Sequence, residues 1–204
     1  MMPVKSSSPY QALVIGVSAG GLNALHNILP KLPKSFPLAI IVLQHRGEVV
    51  FDGTSHNDFL ISYFQKDCAM SVTEATIGAE IKPGNIYIAP AKYHLLIEKT
   101  KVFSLSLEPP VNFALPSIDV LFDSASACYK NQLIGLILTG ASSDGSTGLK
   151  TIKGRAGLTL VQEPKTAEVD FMPKSAISLH TVDHILPLDD IAEFLCQLIQ
   201  GDKE

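Results

Sequence analysis

The sequence predicts a doubly wound α/β fold, with a mostly parallel sheet, helices on both faces and an antiparallel hairpin. Three observations carry this expectation. Short, unbroken apolar runs, of the kind that fill strands buried on two sides, alternate with segments whose leucines and isoleucines recur at helical spacing. Glycine and proline punctuate the joints. The 204 residues, 46% hydrophobic and 18% charged, suffice for one large core and not comfortably for two.

The first apolar run, Gln11-Ala12-Leu13-Val14-Ile15, ends in Gly16 and precedes Leu22, Leu25 and Leu29, so it reads as strand, tight turn and helix. Leu38 to Leu43 repeats the strand pattern, and a helix between two such strands implies a right-handed crossover in a parallel sheet. Phe59 to Phe64 suggests another helix. Ile86-Tyr87-Ile88 begins a region of different character. Within it, His94 to Glu98 and Val102 to Leu107, separated by Lys99-Thr100-Lys101, form the arms of an antiparallel hairpin attached to the sheet. Ser117 is placed to cap a helix carrying Val120, Leu121, Ala125 and Cys128, and Leu133 to Thr139 gives a third buried strand. Leu149 and Ile152 suggest a helix, Leu158 to Val161 a strand, and Ile191, Leu195 and Ile199 a closing amphipathic helix. The expected organisation is a disordered or extended N-terminus over residues 1–9 and a single domain over residues 10–201.

Charge and composition exclude several functions. The formal net charge is -4 and the basic residues are scattered, which leaves no footprint for nucleic-acid binding. No apolar run approaches the roughly 20 residues of a membrane span, and the polar opening lacks a signal-peptide core, so a cytoplasmic protein without membrane insertion is expected. Cys68, Cys128 and Cys196 are odd in number and widely spaced, and read as reduced thiols, not a disulfide framework or a zinc site.

In open parallel sheets the chemistry gathers beyond the carboxyl ends of the strands. Gly16-Val17-Ser18-Ala19-Gly20 follows the first strand and fits the Gly-x-Ser-x-Gly turn that presents a nucleophile. Gln44-His45 follows the second strand, and Ser143-Asp144-Gly145 lies past the third. A serine hydroxyl needs an imidazole to take its proton and a carboxylate to orient that imidazole, so Ser18, His45 and Asp144 are the candidate nucleophile, base and orienting acid. The helix beginning near Gly20 also turns backbone N–H groups toward the site, where they can stabilise an oxyanion. Two bland alternatives stand beside this reading. Asp144 also suits the cap of the helix that follows it. The same glycines suit a phosphate-cradling loop, although Ser18 occupies its middle glycine position and no acidic residue ends the second strand. His26, His56, His94, His180 and His184 are read as ordinary surface or core histidines.

Six blocks then resemble the catalytic domain of the chemotaxis protein-glutamate methylesterase (CheB) family. They are Ile15-Gly16-Val17-Ser18-Ala19-Gly20-Gly21, Val42-Leu43-Gln44-His45, Pro83 to Pro90, Pro116-Ser117-Ile118-Asp119-Val120-Leu121-Phe122, Leu138-Thr139-Gly140-Ala141-Ser142-Ser143-Asp144-Gly145 and Met172-Pro173-Lys174-Ser175-Ala176-Ile177. The resemblance spans nearly the whole chain in order. It implies a serine hydrolase that removes methyl esters from glutamates on chemotaxis receptor helices, releasing methanol, and in some members deamidates receptor glutamines. It implies Ser18, His45 and Asp144 as the triad and Ala19, Gly20, Gly21 and Ala141 around the oxyanion and substrate pocket. No metal or organic cofactor is implied, and a monomer is expected.

This chain has Ala19 and Ala141 where the family usually has threonine and methionine, and Ala114-Leu115 where it commonly has a histidine-arginine pair. Typical members carry an N-terminal receiver domain. None is expected here, so the resemblance leaves regulation to a separate receiver or methyltransferase protein or to no partner. Two competing readings are a catalytically divergent scaffold of the same fold and a nucleotide-binding doubly wound module.

Overall fold

A computed structural model describes residues 9–45 and 56–200, so all of the expected N-terminal extension except Pro9 lies outside the described residues. In chain order the elements are β1 (Ala12–Val17), α1 (Gly21–Ile28), β2 (Ala39–Gln44), α2 (His56–Gln65), β3 (Ser71–Glu74), β4 (Asn85–Ile88), β5 (His94–Ile97), β6 (Phe103–Ser106), α3 (Ile118–Tyr129), β7 (Leu133–Ile137), α4 (Ser146–Gly154), β8 (Leu158–Gln162), α5 (Phe171–Ser178), β9 (His184–Leu186) and α6 (Ile191–Gln200).

Seven strands form one parallel sheet in the order β3-β4-β2-β1-β7-β8-β9. β1 is central and buried at every position, which is why its sequence is an apolar run without alternation. Its side chains nevertheless divide by the two-residue period of a strand. Leu13, Ile15 and Val17 face a core built with Ala24, Leu25 and Ile28 of α1, Leu60 and Phe64 of α2, and Ile191 and Leu195 of α6. Ala12 and Val14 face a second core with Ile118, Leu121 and Phe122 of α3, Leu149 and Ile152 of α4, and Met172 and Ala176 of α5. Each fully buried aliphatic side chain contributes about 1.5–3 kcal/mol relative to exposure, so these two layers hold the sandwich together.

From β1 the chain winds toward β3 and β4, then crosses back to β7, β8 and β9. The reversal lies between β1 and β7, and the crevice beyond the carboxyl ends of the strands at such a reversal is where open α/β sheets place their ligands.

Several expectations need correction. Asn85–Ile88 is a parallel strand of the main sheet, paired with β2 and β3, and does not open a separate region. β5 and β6 pair antiparallel as expected, but they form a two-stranded sheet of their own instead of extending the main one. That hairpin leans on α3, where the Ser124 hydroxyl accepts the Ile97 N–H at 3.2 Å. His56, expected in a polar loop, opens α2.

Candidate active site

Ser18 and His45 each stand one residue past a central strand and are pinned there by the continuing ladder. The Ser18 N–H donates to Thr139 O at 3.0 Å, and the His45 N–H donates to Val17 O at 2.9 Å. The loop after β7 passes close by, since a methyl group on Gly140 would lie 2.7 Å from Ser18 Cβ. Three stretches far apart in sequence therefore meet on one rim of the sheet, as their positions after buried strands predict.

The two glycines flanking the serine serve different ends. Gly20 adopts φ 77, the left-handed turn that ends the strand-to-helix connection before α1. Gly16, by contrast, still belongs to β1 and needs no unusual backbone. A Cβ there would lie 2.5 Å from Ile118 Cγ2, so Gly16 is the gap into which the first turn of α3 settles.

That close approach brings the start of α3 onto Asp144. The Asp144 side chain is wholly buried while that of His45 keeps 15% exposure, and His45 Nε2 lies 2.8 Å from Asp144 Oδ2. The same Oδ2 accepts the Ile118 N–H at 2.6 Å, and Oδ1 accepts the Ser117 hydroxyl at 2.7 Å and the Asp119 N–H at 3.0 Å. Burial pushes this carboxyl toward the neutral form, but the bonds from His45, Ser117 and the two amides outweigh it, so its pKa falls below the ordinary aspartate value. An ionised carboxylate only accepts hydrogen bonds, which assigns the proton to His45 Nε2 and leaves Nδ1 as the basic nitrogen of the neutral ring.

Asp144 therefore caps α3, where the sequence allowed a cap of the helix that follows it. That following helix, α4, is capped in exchange by Asp119, whose Oδ1 accepts the N–H of Gly145 at 2.9 Å and of Gly148 at 2.6 Å. Ser117 was expected to cap α3 with its side chain and does not. Because Asp144 already takes the first N–H groups of α3, the Ser117 hydroxyl is free to donate to the same carboxylate. Behind it His94, read as an ordinary histidine of the hairpin, is buried; its Nδ1 accepts the Ser117 N–H at 3.1 Å while its Nε2 bonds Pro109 O at 3.1 Å.

Ser18 and His45 line two cavities at once. One, of about 370 Å³, is completed by Asn112, Phe113, Ala114, Leu115 and Ser142. The other, of about 510 Å³, is lined by Ala19, Gly20, Gly21, Leu22, Asn23, Gln44 and Glu168. Of the four residues expected around the oxyanion, Ala19, Gly20 and Gly21 thus border the second cavity, but the Gly21 N–H is already donated to Ser18 O at 2.9 Å. The amides of Ala19 and Gly20 have no acceptor among the described residues. Ala141 is exposed and borders neither cavity; Ser142 stands on the wall instead. The Ser18 hydroxyl makes no hydrogen bond among the described residues.

A phosphate in the Gly-rich loop would meet an acid: a Cβ on Gly20 would lie 3.0 Å from Glu168 Oε2. That carboxylate opposes the anion a nucleotide would place there, which counts against the dinucleotide reading. Among the described residues no group of three His, Cys, Asp or Glu side chains is placed to hold a metal ion, and no helix is long and apolar enough to cross a membrane. Ser117, Glu168, Asn112 and Phe113 were not singled out from sequence as parts of the site, whereas Ala114-Leu115 were marked by their departure from the family's pattern. Ser117 alone left a signal, its Ser-x-Asp spacing before an apolar helix.

Comparison with known proteins matches these observations. Residues 13–195 match the family described as CheB methylesterase. A relative from Leptospira interrogans is 50% identical over 195 residues, covering 96% of this chain and 98% of that protein. The protein-glutamate methylesterase/protein-glutamine glutaminase of Clostridium acetobutylicum is 32% identical over 196 residues, and there the chain spans 55% of the relative's length. The crystal structure of the Thermotoga maritima CheB methylesterase catalytic domain superposes with a TM-score of 0.87 at 34% identity, covering 93% of this chain and 99% of that one.

Proposed function

The chain belongs to the CheB methylesterase family, and from that membership we propose that it hydrolyses γ-glutamyl methyl esters on chemotaxis receptors through Ser18, His45 and Asp144. The observation that carries this reading is the 2.8 Å bond between His45 Nε2 and the buried Asp144 carboxylate, on the rim where Ser18 is pinned to the β7 strand end.

In this reading His45 Nδ1 takes the Ser18 proton as Oγ attacks the ester carbonyl. Asp144 steadies the imidazolium that forms without taking up the proton itself. The free amides of Ala19 and Gly20 receive the developing oxyanion, and one such donor is worth about 3 kcal/mol of barrier. His45 then protonates the departing methoxide, methanol leaves, and a water activated by the same imidazole releases glutamate. A glutamine side chain reaches the same acyl-enzyme with ammonia as the leaving group, so deamidation belongs to the proposal. Neither step draws on a metal or an organic cofactor. Action as a cytoplasmic monomer, with any control exerted by a separate receiver or methyltransferase protein, completes it.

The deciding measurement is methanol release from a methylated receptor fragment by the wild-type chain and by Ser18→Ala. Loss of a triad nucleophile typically lowers turnover about a millionfold. Equal methanol release from both proteins would overturn the assignment, as would ammonia and methanol release that survive His45→Ala undiminished.

A further inference from the structure

One wall of the first cavity has a feature that folding alone does not explain. Among the described residues Phe113 is the most exposed of the large apolar side chains, with a relative exposure of 105%. It sits at the tip of a two-residue turn in which Val111 and Ala114 exchange backbone bonds of 3.1 and 2.9 Å. Both central residues are left-handed, Asn112 at φ 50 and Phe113 at φ 63. Asparagine tolerates that conformation, but a bulky residue such as phenylalanine does not do so readily, and glycine is the usual choice at a turn of this type. The chain thus holds an aromatic ring in water on a backbone that disfavours it.

The turn is also anchored to the catalytic framework. Asn112 Nδ2 donates to Asp119 Oδ2 at 2.9 Å, and Asp119 is the residue that caps α4 and whose own N–H bonds Asp144. Phe113, Ala114 and Leu115 line the same cavity as Ser18 and His45. Among the described residues no Lys, Arg, Asp or Glu side chain lines that cavity, whereas the cavity on the other side of Ser18 carries Glu168.

We propose that Phe113 is a substrate-docking residue, which grips the apolar side chains flanking the ester-bearing glutamate on the substrate helix and so selects substrates whose apolar face lies on the Phe113 side of the nucleophile. The proposal rests on the methylesterase reading, because the glutamate that must reach Ser18 brings one flank of its helix against this wall. An exposed ring gains by burial in such a contact, and a rigid aromatic anchor loses little freedom on binding. Because the turn is tied to Asp119, the ring is presented at a fixed position relative to Ser18.

Two measurements test it. In a Ser18→Ala background, affinity is measured for a synthetic amphipathic helix of about 20 residues that carries a central glutamate γ-methyl ester flanked at i±3 and i±4 by alanine and leucine. Phe113→Ala should weaken binding about tenfold, Phe113→Leu should largely restore it, and a peptide with serine at the flanking positions should bind both proteins alike. With Ser18 intact, Phe113→Ala should raise KM for the peptide ester about tenfold while kcat is retained. Equal peptide affinities with and without the ring overturn the proposal. So does a fall in kcat with KM unchanged, which reports a structural role, or a gain in turnover, which reports a ring that covers the cavity. If the wild-type chain releases no methanol but the tenfold affinity difference is present, the reaction assignment falls and the docking role stands.

Discussion

The carboxylate of Asp144 accepts four hydrogen bonds, only one of them from His45. The other three mean that the anion is fixed in place and in charge before any proton moves, so the imidazole finds a prepared counter-ion. The same arrangement has a consequence for stability. Burial alone raises the Asp144 pKa, but the bonds from His45, Ser117 and the α3 amides bring it below the ordinary value. A depressed folded pKa contributes stability that is complete above the unfolded value near pH 4 and is lost as pH falls through the lower folded value. Asp119 is shifted upward, chiefly by burial, against the lowering effect of the Gly148 amide and with the charge of Asp144 adding to the rise; its contribution runs the opposite way and is lost as pH rises. Ser117→Ala isolates the first effect. It removes one donor from a buried anion, at a cost of about 1.5–3 kcal/mol, and lets the Asp144 pKa climb back toward the ordinary range. Urea unfolding at neutral pH should show the loss, and the acid transition should move to higher pH. An acid transition that stays where it was would show that the hydroxyl does not stabilise the anion.

Between elements, the feature that matters is the exchange of caps between α3 and α4, each helix start receiving an aspartate from the other. Gly16 makes the exchange possible by letting Ile118 press against β1. In Gly16→Ala the new methyl would meet Ile118 Cγ2 at 2.5 Å inside a fully buried layer, where overpacking costs about 1–3 kcal/mol. The first turn of α3 should retreat from Asp144, so turnover should fall well beyond what the lost stability explains. A pairing with Ile118→Ala, which removes the Cγ2, Cγ1 and Cδ1 atoms that the new methyl would meet, should recover part of it. Undiminished turnover in Gly16→Ala would show that the α3 start does not hold the carboxylate. The elements that carry Ser18, His45 and Asp144 were legible in the sequence because β1, β2 and β7 are buried on both faces and read as unbroken apolar runs. β3 was not, since Ser71–Glu74 is a short edge strand with mixed exposure, and neither was β9, three residues long and half in water. Helix α5 escaped notice because Pro173 sits in its first turn, where proline is tolerated although it looks like a breaker. In the same way the placement of Ser18, His45 and Asp144 on one rim of the sheet was readable from their positions after strands. The service of Ser117 to Asp144 and the Phe113 wall depend on contacts between loops and helices that no local pattern encodes.

At the scale of the whole molecule, the rim that carries Ser18 and His45 belongs to the interior of the sheet. β1 is flanked on both sides by parallel partners and covered by helices on both faces, while β3 and β9 close the sheet as short, partly exposed edges. Local opening takes the least free energy where few buried contacts and exposed hydrogen bonds coincide, and the most at the centre of a core. The order of amide exchange follows from this. β1, β2 and β7 should exchange last and close to the rate set by global unfolding, with β3 and β9 well ahead of them. The sharper expectation concerns two residues outside the strands. Ser18 and His45 line a cavity, yet their N–H groups are bonded to Thr139 O and Val17 O in continuation of the central ladder, so they should exchange with β1 and not with the surface loops. The amides of Asn112 and Phe113, at the tip of an exposed two-residue turn, should exchange early even though their side chains border the same cavity. Residue-resolved hydrogen exchange separates these cases. If Ser18 and His45 exchanged as fast as Phe113, the nucleophile and base would ride on mobile loops, and pre-organisation by the sheet could not be the source of their alignment. If they exchange with the core, the chemistry is tied to the most stable part of the fold, and the substrate-facing Phe113 turn can vary without disturbing it.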